Sequence, residues 1–160
     1  MKSQKTILLA EDDANDALLL QLAFESIGLA KALVVVRNGQ ETIDYISGAG
    51  TYRDREKYPP LGLVLLDLKM PQLDGFEVLA WRKKHKHLRD LPIIVLSSSN
   101  LQTDVQRAMD LGASAYLAKP GDFHYLKAVA RELRDQWFAQ GDLAEITVKV
   151  PRGPHYAVRE

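Results

Sequence analysis

Short apolar runs alternate with helix-period segments along most of the chain. Thr6-Ile7-Leu8-Leu9-Ala10 reads as a first strand, cut off by Glu11-Asp12-Asp13. The stretch from Ala14 to Ile27 carries Leu18, Leu19, Leu22, Ala23 and Phe24 at helical spacing, with Gly28 as its stop. Leu33-Val34-Val35-Val36 is a second strand, and Asn38-Gly39 turns the chain into a helix whose inner face is Ile43 and Ile46, with Tyr45 beside it. Gly48-Ala49-Gly50 ends that helix. The charged insertion up to Pro59-Pro60, with Arg53, Asp54, Arg55, Glu56 and Lys57, reads as an exposed loop. Leu63-Val64-Leu65-Leu66 is apolar without alternation, the mark of a strand buried on both faces, and it ends on Asp67 followed by Pro71 and Asp74-Gly75. Phe76, Val78, Leu79 and Trp81 mark the next helix. Its basic end, Arg82 to His87, is expected to be solvated, since cations suit a helix C-terminus. Ile93 to Leu96 is a fourth strand leading into Ser97-Ser98-Ser99. Val105, Ala108 and Met109 mark a fourth helix stopped by Gly112. Ala115 to Ala118 is a fifth strand, ending on Lys119-Pro120. Asp122 caps a last helix through Leu126, Val129, Ala130, Leu133 and Trp137.

Five βα units in succession imply an α/β fold with a parallel sheet and helices on both faces, because each parallel connection must cross over. In such folds ligands sit beyond the C-terminal strand ends, where strand order reverses. The polar residues at those ends are Glu11 and Asp12, then Asp67, Ser97 and Lys119. Each has an ordinary structural explanation when taken singly; five of them on one rim do not.

Composition narrows the function without naming it. The chain has 160 residues, enough for one domain with a substantial core. It carries 21 basic and 21 acidic residues, so no global attraction to nucleic acid or to an anionic membrane is expected. There is no Cys, hence no disulfide and no thiolate ligand, which fits a reducing compartment. No apolar run approaches the roughly 20 residues of a membrane span, and no signal-peptide core follows Met1, so a cytoplasmic location is expected.

Carboxylates gathered on one rim repel one another and tend to take up a proton unless a cation is present. A hard divalent ion with oxygen ligands, most simply Mg²⁺ with Mn²⁺ able to substitute, answers that need between Asp12 and Asp67. The ion screens an incoming phosphoryl group and leaves an Asp67 oxygen as nucleophile. Lys119 suits a phosphoryl oxygen, and the Ser97 hydroxyl can donate to another. Together these parts describe in-line phosphoryl transfer to a carboxylate.

Ile7-Leu8-Leu9-Ala10-Glu11-Asp12-Asp13, the run from Leu65 to Gly75, Ser97, and Gly112 to Pro120 resemble the receiver domain of two-component response regulators over about residues 5 to 140. The resemblance implies a flavodoxin-like doubly wound (βα)5 sandwich, five parallel strands in the order 2-1-3-4-5. It implies Asp67 as phosphoacceptor, with Mg²⁺ bound by Asp12, Asp67 and the Lys69 carbonyl, and by Glu11 through water. It further implies switch roles for Ser97 and Tyr116, a phosphoryl contact from Lys119, and a cis Lys119-Pro120 bond. Beyond self-phosphorylation from phosphodonors and auto-dephosphorylation, no enzymatic activity is expected. Asn15-Asp16-Ala17, the insertion before the third strand and Trp137-Phe138 look like the small single-domain regulators paired with bacterial phytochrome histidine kinases. Lys69 departs from the Asn common in that group, and Ser97 from the commoner Thr.

Two other classes share parts of this pattern. A haloacid dehalogenase-type phosphohydrolase also uses an aspartyl nucleophile after a strand, but wants a second Asp where Lys69 stands. A flavodoxin-like electron carrier needs amide and hydroxyl donors where the first turn here is acidic. A phosphorelay shuttle stays open within the receiver class. Residues 1–140 are expected to form the receiver and 141–160 a tail, in which Glu145 to Pro151 alternates like a half-buried strand. Roughly 20 residues cannot hold a DNA-binding output domain, so output by protein contact is expected. Phosphorylation is expected to draw in the loop after the fourth strand and let Tyr116 turn inward. The tail and the fourth and fifth helices are expected to support a homodimer, with Trp137 and Phe138 as anchors.

Overall fold

A computed structural model describes residues 6–119, 122–138 and 155–158. In chain order the elements are β1 (Thr6–Ala10), α1 (Ala14–Glu25), β2 (Leu33–Val36), α2 (Gly39–Ser47), β3 (Leu61–Leu66), α3 (Gly75–Lys84), β4 (Ile93–Ser97), α4 (Gln102–Asp110), β5 (Ala115–Ala118), α5 (Phe123–Phe138) and β6 (His155–Val158). The sheet order is β2-β1-β3-β4-β5-β6, with the first five strands parallel and β6 antiparallel to β5. The expected five-stranded order is therefore present, and a sixth strand extends it. The alternating stretch from Glu145 to Pro151 and the Lys119-Pro120 bond lie outside the described residues.

Period-two alternation assigns each strand residue to one of two cores. Ile7, Leu9, Leu63, Leu65, Ile94, Leu96 and Leu117 face α1 and α5, meeting Leu20, Phe24, Leu126, Val129 and Leu133. Leu8, Val64, Leu66, Val95 and Tyr116 face α2, α3 and α4, meeting Tyr45, Phe76, Leu79 and Val105. Side chains as fully buried as Phe24 and Leu79 each stabilise the fold by about 1.5–3 kcal/mol.

In α1 the apolar residues at helical spacing do not all point inward. Ala17, Leu20, Ala23 and Phe24 point inward, whereas Leu18, Leu19 and Leu22 are 52%, 43% and 42% exposed. So many apolar residues crowd this helix that periodicity alone could not choose its inner side. In α2 the buried centre is Tyr45 rather than Ile43 and Ile46, which are only partly covered.

The insertion after α2 is folded rather than a plain exposed loop. Tyr45, Tyr52 and Tyr58 form a ring cluster with centroids 5.0–6.0 Å apart, and the Tyr45 hydroxyl donates to the Pro59 carbonyl at 2.9 Å. Arg55 donates to the carbonyls of Tyr45 (2.8 Å) and Ile46 (3.1 Å) in the last turn of α2, where helical partners run short. The basic run after α3 also differs from its expected solvated state. Arg82 is 5% exposed and donates to the carbonyls of Leu91 (2.8 Å) and Gly112, tying α3 to the segments before β4 and after α4.

The loop from Asp67 to Gly75 is held from two sides. Gly39 N–H donates to Leu73 O and Gln40 N–H to Gln72 O, both at 3.0 Å, so the first turn of α2 grips the loop. Gln72 and Leu73 have φ of 48° and 79°, left-handed values that side chains rarely adopt. Only glycine fits at 39 and 75: a Cβ there would strike the carbonyl oxygens of Leu73 and Asp67 respectively.

Candidate functional site

Strand order reverses between β1 and β3, whose last residues, Ala10 and Leu66, are register partners. The next residue on each strand is a carboxylate, Glu11 and Asp67. Backbone pairing continues through both: Asp67 N–H donates to Ala10 O and Glu11 N–H to Val36 O, each at 3.0 Å. Both side chains are almost covered, Glu11 at 2% and Asp67 at 6% exposure, while Asp12 is open to solvent. Asp13 does different work. Its carboxylate caps α1, accepting from the amides of Asn15 (2.9 Å) and Asp16 (3.0 Å), which leaves Glu11 and Asp12 for the rim.

Lys119 follows β5 and is placed by its own N–H, which donates to Ser97 O at 2.8 Å. Its ammonium lies 2.5 Å from Glu11 Oε1, 2.9 Å from Asp16 Oδ2 and 3.3 Å from Asp67 Oδ2. Burial disfavours this charge, but the contacts with Glu11, Asp16 and Asp67 outweigh it and hold the pKa above the ordinary lysine value. Lys119 therefore keeps its charge at the site.

Ser97, at the end of β4, is 1% exposed, and its Oγ accepts from Ser99 N–H at 3.1 Å. Tyr116 is fully buried, so its ring already lies inward, and its hydroxyl donates to Ser99 O at 3.1 Å. Ser99 in turn donates from Oγ to Asp104 Oδ2 at 2.6 Å, in the first turn of α4. One residue thus joins β5, the β4–α4 loop and α4. Lys69 lines the same open cleft as Asp12, Met70, Ser99 and Asp104.

The sequence reading gathered Glu11, Asp12, Asp67, Ser97 and Lys119 on one rim, and the fold brings them together. It missed Asp16 and Ser99. Asp16 looks like any first-turn carboxylate, and its partner is 103 residues away. Ser99 was one of three consecutive serines with nothing local to single it out.

Glu11, Asp12 and Asp67 each offer an oxygen, and these atoms lie within 4.8 Å of one another. An all-oxygen set of three acids, two of them buried, fits a hard divalent cation. Burial and the neighbouring Asp67 raise the Glu11 pKa from an ordinary 4.5 to about 7, against the opposing pull of Lys119. The folded value lies above the unfolded one, so the stability that protonated Glu11 contributes is present at low pH and is lost between pH 4.5 and about 7. A divalent ion requires the carboxylate form. The rise in Tm on adding Mg²⁺ should therefore be larger at about pH 8 than at about pH 6. Equal shifts at both would remove Glu11 from the ion's surroundings.

The family described as the response regulator receiver domain matches residues 7–131. A probable methanogenesis regulatory protein, FilR2, from Methanothrix harundinacea is 36% identical over 134 residues, covering 82% of this chain and 82% of its own. The crystal structure of a phosphorylated cyanobacterial phytochrome response regulator, RcpA, superposes with TM-score 0.76 at 31% identity, covering 86% of this chain and 96% of that one. The Mn²⁺-bound form of response regulator Rcp1 superposes with TM-score 0.72 at 30% identity, covering 91% and 99%. Rcp1 from Synechocystis is 32% identical to this chain over 133 residues. Among the described residues no helix is long and apolar enough to cross a membrane.

Proposed function

Because the chain belongs to the response regulator receiver domain family, we propose that it accepts a phosphoryl group on Asp67 from a sensor histidine kinase and signals by protein contact. The observation that carries this is the placement of Lys119 between Glu11 and Asp67 at the switch point of the sheet. An Asp67 oxygen attacks the phosphorus of a phosphohistidine in line. The new O–P bond forms as the P–N bond breaks, and the imidazole leaves with the electron pair and is protonated. Lys119 and the Ser97 hydroxyl meet charge on the phosphoryl oxygens, the main source of catalysis in such transfers. Mg²⁺ held by Asp12, Asp67 and the Lys69 carbonyl, with Glu11 behind water, would supply further charge neutralisation there.

Likeness to RcpA supports a phytochrome-type kinase as donor; likeness to FilR2 shows that related chains carry names from other pathways. The donor must cover the rim where α1 begins, and Leu18, Leu19 and Leu22 are exposed on that helix. We place the kinase helix bearing the phosphohistidine there. Intact mass tests both statements. Wild type should gain one phosphoryl group from acetyl phosphate with Mg²⁺, none with chelator, and one from a phytochrome-type kinase. Leu18→Glu should slow uptake from the kinase by about ten- to hundredfold, because a charge is forced into an apolar contact. Its uptake from acetyl phosphate should be unchanged. Equal slowing with both donors would place the kinase elsewhere.

A homodimer through α4 and α5 belongs to the same reading, with β6 lying on β5 of its own chain. Sedimentation showing only monomer, phosphorylated or not, would exclude it.

A further inference from the structure

The ammonium of Lys119 has three N–H donors, and three carboxylates take them: Glu11, Asp16 and Asp67. It is saturated before any phosphoryl group arrives. A phosphoryl oxygen on Asp67 can receive a bond from Lys119 only if one of these contacts is given up. Glu11 is 2% exposed and cannot turn into water, its other oxygen accepting from Asp13 N–H at 3.3 Å. The Asp16 side chain is 42% exposed and can turn into water at little cost. The distances show which way the cation leans, with 2.9 Å to Asp16 against 3.3 Å to Asp67. Its stem is also confined. Lys119 and Asp16 line one small cavity with Leu19, Leu20, Leu96 and Leu126, whose apolar walls offer the ammonium no other partner on that side.

We propose that Asp16 is a positioning residue for phosphoryl transfer: it holds Lys119 in a resting place beside Asp67 and yields it when the phosphoryl group arrives. This rests on the receiver reading given above. Asp16 lies outside the oxygen cluster of Glu11, Asp12 and Asp67 and acts through its bond to Lys119. Its negative charge sets how far the cation reaches toward the transferred group, and so sets the rate at which Asp67 is loaded. In the transfer from acetyl phosphate the bridging P–O bond breaks and acetate leaves with the electron pair. The charge gathered on the phosphoryl oxygens is what a released Lys119 would meet.

The test compares wild type, Asp16→Asn and Asp16→Glu in the full chain. Phosphoryl uptake from acetyl phosphate with Mg²⁺ is followed by intact mass, and the Lys119 Nζ resonance is followed by NMR with no phosphodonor or metal present. Asp16→Asn keeps the shape of the side chain and removes its charge, so its second-order rate constant should rise by about three- to tenfold at low ionic strength. Asp16→Glu restores the charge and should return the rate to that of wild type. The Nζ resonance should move in Asp16→Asn and stay near its wild-type position in Asp16→Glu. A rate for Asp16→Asn no faster than wild type, or Asp16→Glu as fast as Asp16→Asn, overturns the proposal. So does an unmoved Nζ resonance, which would mean that Asp16 acts by its own field and not through Lys119. If wild type itself takes no phosphoryl group, the receiver reading fails and this inference with it. A loaded wild type with an unaltered Asp16→Asn removes the inference alone.

Discussion

Asp67→Asn is expected to take up no phosphoryl group under conditions that fully modify the wild-type chain, read by intact mass. The amide keeps the size of the carboxylate, and the backbone N–H of residue 67 keeps its bond to Ala10 O, so the loop stays in place. What is lost is the anionic oxygen that attacks phosphorus, and a neutral amide does not replace it as a nucleophile. A second consequence separates this loss from misfolding. Asp67 is one of the causes that raise the Glu11 pKa, so the amide relieves a like-charge contact. Without metal, the variant should unfold at the same temperature as wild type or higher. Its gain in Tm on adding Mg²⁺ should shrink, since one of the three clustered oxygens is no longer charged. Phosphoryl uptake by Asp67→Asn would move the acceptor to another residue and remove the proposed role of Asp67.

Arg82→Met should be the costliest of these changes for stability. The guanidinium is 5% exposed and donates to the carbonyls of Leu91 and Gly112, on two segments that pack against the end of α3. Methionine fills much of the volume but leaves those carbonyls facing an apolar chain. Bonds to a charged donor contribute about 1.5–3 kcal/mol each, partly offset here by the removed cost of burying a charge, so a net loss of about 3 kcal/mol is expected. For a chain of this size that corresponds to a fall in Tm of roughly 6–12 °C. Arg82→Lys should recover little, because one ammonium on a single stem cannot reproduce a planar fork spanning two carbonyls. A urea midpoint equal to that of wild type would show that these contacts contribute nothing net.

The central parallel strands were legible because they are buried on both faces and read as unbroken apolar runs, as Leu63 to Leu66 and Ile93 to Leu96 do. Their polar ends were legible for the same reason: a carboxylate directly after such a run falls on the sheet's rim. The helices were harder. In α1, leucines at 18, 19, 20 and 22 leave no polar stripe to mark the outer face, and only packing against β1 and β3 selects Leu20. Arginines 55 and 82 were read as surface charge because a sequence does not show which backbone carbonyls the fold will bring to them. Asp16 and Ser99 were invisible for a related reason. Their partners are supplied by other strands and helices, and each residue type is ordinary where it stands.

The grip of α2 on the phosphoacceptor loop makes two amides into a clock. N–H groups in the first turn of a helix have no partner inside it and normally trade their protons with water quickly. Those of Gly39 and Gln40 are instead engaged by Leu73 O and Gln72 O, the carbonyls of the two left-handed residues in the loop. Deuterium can enter at these positions only when the loop lets go, so their uptake rate counts its openings directly. Helix α2 lies on the opposite side of the sheet from α1, where we place the kinase. A change in that rate on loading Asp67 would show the covalent event arriving on a face the donor never touches.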